Sequence, residues 1–258
     1  MPDADLGRMA RTIQAFHRSF GLAARDGEVF EAPGVVASIA PAIPFRSIFN
    51  AAAHETPDAL APVLPVLRDR YERAGVTAWG VWAHEDDSRA AELLTEAGLR
   101  IDSSPTAMVR SLGPEDAEFA PTLDVVRADE LPPVDAALAA AYDYPPGVLP
   151  WCFPSLLERF RGFLARDERG EPAAAVVTVH RDGDCGFTMV GAAPAARRRG
   201  LVTELMRLAL ADACAAGCTT TTLQSTAMGR PVYERLGYRA LGAYHLWELR
   251  TAPDPLAA

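Results

Sequence analysis

Helical and alternating hydrophobic periods follow one another in a regular order through the second half of this chain. An Ala/Leu-rich helix is predicted over residues 134–142, broken by Pro145-Pro146-Gly147, with a second short helix over 155–160. Three strands follow, over 162–167, 173–180 and 185–192. The first two are joined by the Glu168-Arg169-Gly170-Glu171 turn, and the third is entered through Arg181-Asp182-Gly183-Asp184. A long apolar helix over 201–216 stops at Gly217. A Thr-rich strand occupies 218–224, and a short helix over 231–236 stops at Gly237. A last strand over 243–249 alternates Tyr244, Leu246 and Trp247 with polar positions.

The first half repeats the end of that outline. A helix over 59–74 ends at Gly75, a strand covers 76–82, a helix over 88–97 stops at Gly98, and a strand runs through 107–110. Gly75 corresponds to Gly217 and Gly98 to Gly237, at offsets of about 140 residues. A repeat that long indicates a duplicated domain rather than a solenoid. Any two α/β segments share helix–glycine–strand punctuation, but four elements recurring in one order at a nearly constant offset favour duplication. The Pro- and acid-rich stretch 112–121 fits neither period and reads as a linker. It divides the chain into a domain of residues 1–115 and a domain of residues 116–258.

Composition narrows the class. With 258 residues, 49% apolar and 23% charged, the chain reads as soluble and globular. A net charge of -9 argues against general nucleic-acid binding, which relies on Lys and Arg to neutralise phosphate. It permits a cationic or amine partner without requiring one. Cys152, Cys185, Cys214 and Cys218 form no C-x-x-C pair and have no His at ligand spacing, so they read as reduced, partly buried thiols rather than a metal site. Residues 1–5 are acidic and lack an apolar core region, and no apolar run is long enough to span a bilayer. A cytoplasmic protein with no membrane partner is expected.

The chemistry concentrates in Pro194-Ala195-Ala196-Arg197-Arg198-Arg199-Gly200-Leu201-Val202. A strand that ends in a short Arg/Gly turn and opens directly into a helix is a phosphate-binding device. The first helical turn carries unpaired N–H groups and the positive end of the helix dipole. Gly200 lets a phosphate approach that backbone closely, and the arginines add charge around it. A merely solvated basic loop is the weaker explanation, because three arginines entering a helix N-terminus oppose its dipole. About 30 residues on stands Tyr233-Glu234-Arg235-Leu236-Gly237-Tyr238.

These motifs, in the order hairpin, strand–turn–helix, strand–helix–strand, resemble the GNAT superfamily of acetyl-CoA-dependent N-acetyltransferases. The resemblance covers roughly residues 122–250 well and 1–112 weakly. It implies an α/β (α+β) fold of tandem GNAT-like domains, each a mixed, mostly antiparallel sheet flanked by helices. It also implies acetyl-CoA as co-substrate and an amine on a small molecule or peptide as acceptor. Val190, Gly191 and Ala192 would line the pantetheine through their backbone. Arg197, Arg198, Arg199, Gly200, Leu201, Val202 and Thr203 would take the pyrophosphate, with Val202 standing where the family has a small residue. Tyr233 matches the general acid that protonates the leaving thiolate; a phenol with pKa near 10 suits that partner. The same tyrosine also fits a core aromatic. The first half has no R-x-x-G turn, is proline-rich over 41–65, and carries Leu94 where the second has Tyr233. It resembles a degenerate copy without a cofactor site.

The general base is not evident. The strand 185–190 contains no carboxylate, and Asp184 at its entrance is the nearest candidate, although Asp-Gly-Asp equally serves hairpin-turn chemistry. His180 and Glu234 are further options, and a water chain or an amine arriving neutral needs no dedicated base. Gln224, Ser225 and Thr226 end the next strand where they could orient substrate. The aromatic segment 142–153 fits either a substrate wall or interface packing. A non-catalytic acyl-CoA-binding protein is the alternative, supported by the missing strand carboxylate and by Val202. A Rossmann-type nucleotide enzyme is a poor third reading, because no G-x-G-x-x-G follows a first strand and the hairpin-rich order is wrong for a doubly wound sheet.

Overall fold

The computed structural model describes residues 2–255. The chain opens with a 22-residue helix, α1 (Pro2–Ala23), whose Met9, Ile13, Phe16 and Phe20 recur at helical spacing and are all buried. The first half continues through β1 (Glu28–Ala32), β2 (Val35–Ile39), β3 (Ala51–His54), α2 (Pro57–Leu60), α3 (Leu64–Arg73), β4 (Ala78–His84), α4 (Ser88–Glu96), β5 (Arg100–Ser103) and β6 (Thr106–Ser111). The second half comprises α5 (Pro114–Ala117), β7 (Val125–Ala128), α6 (Leu131–Tyr142), α7 (Val148–Cys152), α8 (Leu156–Arg159), β8 (Arg161–Arg166), β9 (Pro172–Arg181) and β10 (Asp184–Ala192). It ends with α9 (Leu201–Ala215), β11 (Thr220–Ser225), α10 (Arg230–Arg235) and β12 (Arg239–Arg250). The helix expected over 59–74 is two, α2 and α3. They part around Pro62, which has no N–H to continue the ladder.

All twelve strands join in the order β1-β2-β3-β4-β12-β6-β11-β10-β9-β8-β7, with β5 on the side of β12. Most pairs are antiparallel; β3–β4 and β10–β11 are parallel. The two halves exchange their last strands. β6, from the first half, pairs with β11 of the second. β12, from the second, pairs with β4 of the first through Tyr244–Arg250 and with β6 through Arg239–Ala243. β12 is therefore longer than the alternation over 243–249 predicts, because its first part pairs with β6 and its second with β4.

The repeat is visible in helix endings. Gly75, Gly98, Gly217 and Gly237 all have positive φ. Each is followed by an N–H that reaches back five residues: Val76 to Tyr71, Leu99 to Leu94, Cys218 to Ala213 and Tyr238 to Tyr233. Leu94 and Tyr233 thus hold the same place in the same motif.

Three apolar clusters hold the layers. One joins α1, α6, α7 and α8 across the sheet centre, including Trp82, Tyr244 and Leu246. A second lies under α9 with Tyr233 and Tyr238, and a third lies under α3 and α4 with Trp79 and Trp247. α1 packs on strands of both halves. It lies so close to β10 that a Cβ on Gly186 would stand 2.2 Å from Thr12 Cγ2.

Candidate active site

The parallel β10–β11 ladder runs from Asp184↔Thr220 to Phe187↔Leu223 and stops there. Both strands continue. β11 goes on to Ser225 paired only with β6, and β10 goes on to Ala192 paired only with β9. The β9–β10 register shifts between Thr188 and Gly191, and Met189 takes a left-handed φ of 42°, so a bulge bends β10 away from its neighbour. The result is a V between two parallel strands whose facing backbone groups have no strand partner. Val190, Gly191 and Ala192 lie on the β10 arm.

At the end of that arm, residues 194–196 form a 3-10 turn, and Gly200 caps α9 with φ 83°. Arg198 is also left-handed, with φ 63°. Such alternation turns successive N–H groups inward to make an anion-binding concavity. No side chain caps the helix, so the N–H groups of Leu201, Val202 and Thr203 stay available at the positive end of the dipole. Conformation rather than crowding calls for glycine at 200: a Cβ there would meet only Leu123 Cδ1, at 3.8 Å. Below the turn, buried Glu204 accepts from the Thr122 amide at 2.8 Å.

The three arginines differ. Arg197 braces the arm, donating to Ala192 O at 3.3 Å and to Ala141 O at 3.5 Å. Arg199 pairs with Glu168 of the β8–β9 turn. Arg198 has no ion-pair partner among the described residues. Leu201 is buried, and Val202 packs its side chain on the cluster beneath α9, so its bulk is turned to the core.

Tyr233 stands on α10, just beyond the end of β11. It is buried against Tyr238, with ring centroids 6.0 Å apart. Its hydroxyl has no hydrogen-bond partner among the described residues. Burial, with Tyr142 nearby, pushes its phenol well above the usual range, so it holds its proton at neutral pH. Gln224 carries an amide nitrogen that is sealed from solvent and unbonded, a donor waiting for an oxygen.

Asp184 is not brought to this cluster. It sits at the start of β10, six residues before Val190, hence roughly 20 Å away along an extended strand. It is 2% exposed. Its carboxylate accepts from Thr12 at 2.7 Å, Thr220 at 2.7 Å and Thr222 at 2.6 Å, which ties α1 to β10 and β11. His180 pairs in register with Cys185 at that same far end, and Glu234 is engaged with Arg230 at 2.7 Å. Two further residues enter the site: Tyr142, which the sequence placed only in an aromatic segment fit for a substrate wall or interface packing, and Asp135, which it did not single out. Tyr142 donates to Val190 O at 2.8 Å. Buried Asp135 accepts from the amides of Gly147 and Leu149 at 2.6 and 3.0 Å. An acid facing the core side of an Ala/Leu helix was the available signal for the latter.

Residues 128–238 match the family model described as Acetyltransferase (GNAT) family. Over those residues, somewhat less than half of the chain, the sequence is thus similar to acetyltransferases of the GNAT family. Among solved structures, a GCN5-related N-acetyltransferase from Kribbella flavida is similar at 21% identity and TM-score 0.63, with 95% of each chain covered. A putative acetyltransferase of the GNAT family from Novosphingobium aromaticivorans is 20% identical at TM-score 0.58, covering 87% of this chain and 92% of its own. A tandem GNAT protein from the clavulanic acid biosynthesis pathway is 11% identical at TM-score 0.56, covering 94% and 96%. At these identities the likeness speaks to the fold. No curated protein matches the chain. No helix among the described residues is long and apolar enough to cross a membrane.

Proposed function

We propose that this protein transfers an acetyl group from acetyl-CoA to a primary amine, on a small molecule or a peptide, by direct attack on the thioester. Residues 116–258 are the catalytic domain. Residues 1–115 are a degenerate copy without the cofactor turn that backs the cleft. The observation that carries the reading is the V between β10 and β11, ending in the uncapped Gly200 turn on the same strand. A linear donor with an anionic end fits both at once.

Backbone groups of Val190, Gly191 and Ala192 pair with the pantetheine arm. The turn Arg197–Thr203 takes the pyrophosphate through N–H groups, with Arg198 and Arg199 beside it. The stranded Gln224 amide suits an oxygen near the thioester. Position and backbone polarisation supply most of the rate. The new C–N bond forms as the C–S bond breaks. Tyr233 gives its proton to sulfur, and the amine's proton leaves to water. Asp184 has no part in this scheme, because its carboxylate is committed at the far end of the strand.

The test is thiol release from acetyl-CoA across an amine library. Tyr233→Phe should lower kcat by about 10²–10⁴-fold while acetyl-CoA binding is kept. A protein that binds acetyl-CoA but turns over no amine would instead be a non-catalytic acyl-CoA-binding protein.

A further inference from the structure

The strand arm that would receive the donor is already in use. Tyr142 is the last residue of α6, and Asp143 after it is left-handed at φ 57°. The loop beyond is held from below by Asp135, which also accepts from the Tyr144 hydroxyl at 3.3 Å. The Tyr142 ring lies against β10 where no side chain stands. A Cβ on Gly191 would fall 3.3 Å from its Cε2 and 2.7 Å from Ala141 Cβ. Its hydroxyl donates to the Val190 carbonyl at 2.8 Å, on the stretch of β10 that has left β11. A carbonyl released from a ladder needs a partner, and Tyr142 supplies one.

Building on the acetyl-CoA reading, we propose that Tyr142 is a displaceable stand-in for the donor's amide. In the free protein its hydroxyl satisfies the Val190 carbonyl. When an amide N–H of the pantetheine arm takes that acceptor, Tyr142 lets go. The residue is 51% exposed, so about half of its surface is already in water before the ring departs. The swap costs one hydrogen bond at each binding event, and Tyr142 is a positioning residue that sets donor affinity.

Tyr142→Phe removes the hydroxyl and keeps the ring. Titration calorimetry would compare wild type and variant with two probes, coenzyme A and 3′,5′-ADP, the second lacking the pantetheine arm. The expected result is a Kd for coenzyme A that falls roughly twofold to tenfold in Tyr142→Phe, the worth of one hydrogen bond, with the Kd for 3′,5′-ADP unchanged. The unchanged 3′,5′-ADP affinity also certifies that the variant is folded. Equal or weaker coenzyme A binding by the variant overturns the proposal, since the carbonyl would then serve both partners or the hydroxyl would itself hold the donor. A wild type that binds neither probe overturns the acetyl-CoA reading beneath it, a result distinct from a wild type that binds both and a variant that binds no better.

Discussion

Replacing Asp184 separates a structural carboxylate from a catalytic one. In Asp184→Ala, Thr220 keeps a second acceptor in the Gly183 carbonyl at 3.4 Å. Thr12 and Thr222, both 2% exposed or less, lose the acceptor they point at. At roughly 1–3 kcal/mol for each of the two stranded buried hydroxyls, the loss is about 2–6 kcal/mol. For a chain of this length that lowers Tm by roughly 4–24 °C. Asp184→Asn fills the same volume and keeps an acceptor oxygen, so its loss is the smaller of the two. Calorimetry on both variants reads the stability. Steady-state turnover of Asp184→Asn against pH, well below its Tm, reads the chemistry, which should stay within about threefold of wild type for a group roughly 20 Å along the strand from Val190. The reasoning is refuted if Asp184→Asn melts like wild type but loses turnover a hundredfold, or loses the acid limb of its pH profile.

Other outcomes follow from single contacts. Gly186→Ala would force α1 off β10, where Thr12 Cγ2 and Phe16 Cζ lie 2.2 and 2.8 Å from the new methyl; a loss of about 1–3 kcal/mol in urea titration is expected, and an unchanged midpoint would contradict the packing. Burial lowers His17 to about 3 and His54 to about 4, so both stay neutral in the fold but charge in the unfolded chain below about pH 6.5. Stability should be full above that pH and fall by roughly 4 kcal/mol between pH 7 and pH 5. His17→Gln and His54→Gln should each flatten that slope, and equal slopes would refute the assignment. Gln224→Leu removes a stranded buried amide and should raise stability by about 1 kcal/mol while lowering kcat/KM about tenfold; a variant with full activity would show the amide to be idle.

Local signals in the chain announced most of the second half. Gly217 and Gly237 end helices where the apolar period stops, and the turn over 197–203 sits between a strand and a helix as its arginines and glycine require. The first helix carries its own signal in the helical interval of Met9, Ile13, Phe16 and Phe20, but it lies outside the four elements whose repeat organises the sequence. The strand exchange was not legible. Alternation in 243–249 marks a strand and its buried face but says nothing about its neighbour, and β12 finds β4 only because α10 and α4 deliver their strands across the same centre. Asp184 shows the opposite limit. Asp-Gly-Asp reads as a turn or a base, and only the arrival of Thr12 from 172 residues away decides for neither. Tyr142 and Val190 are likewise 48 residues apart, joined by a bulge that leaves no mark in composition.

The central claim is that the Gly200 turn and the adjoining V hold acetyl-CoA. Isothermal titration of the protein with acetyl-CoA, repeated on Arg199→Glu/Gly200→Asp, tests it most directly. Gly200 has a positive φ and its turn an uncapped helix start, so the double change adds two negative charges where N–H groups await an anion. Micromolar binding by the wild type, abolished in the variant, is the predicted result. No binding by a wild type that is folded by circular dichroism, or equal binding by both proteins, would contradict it.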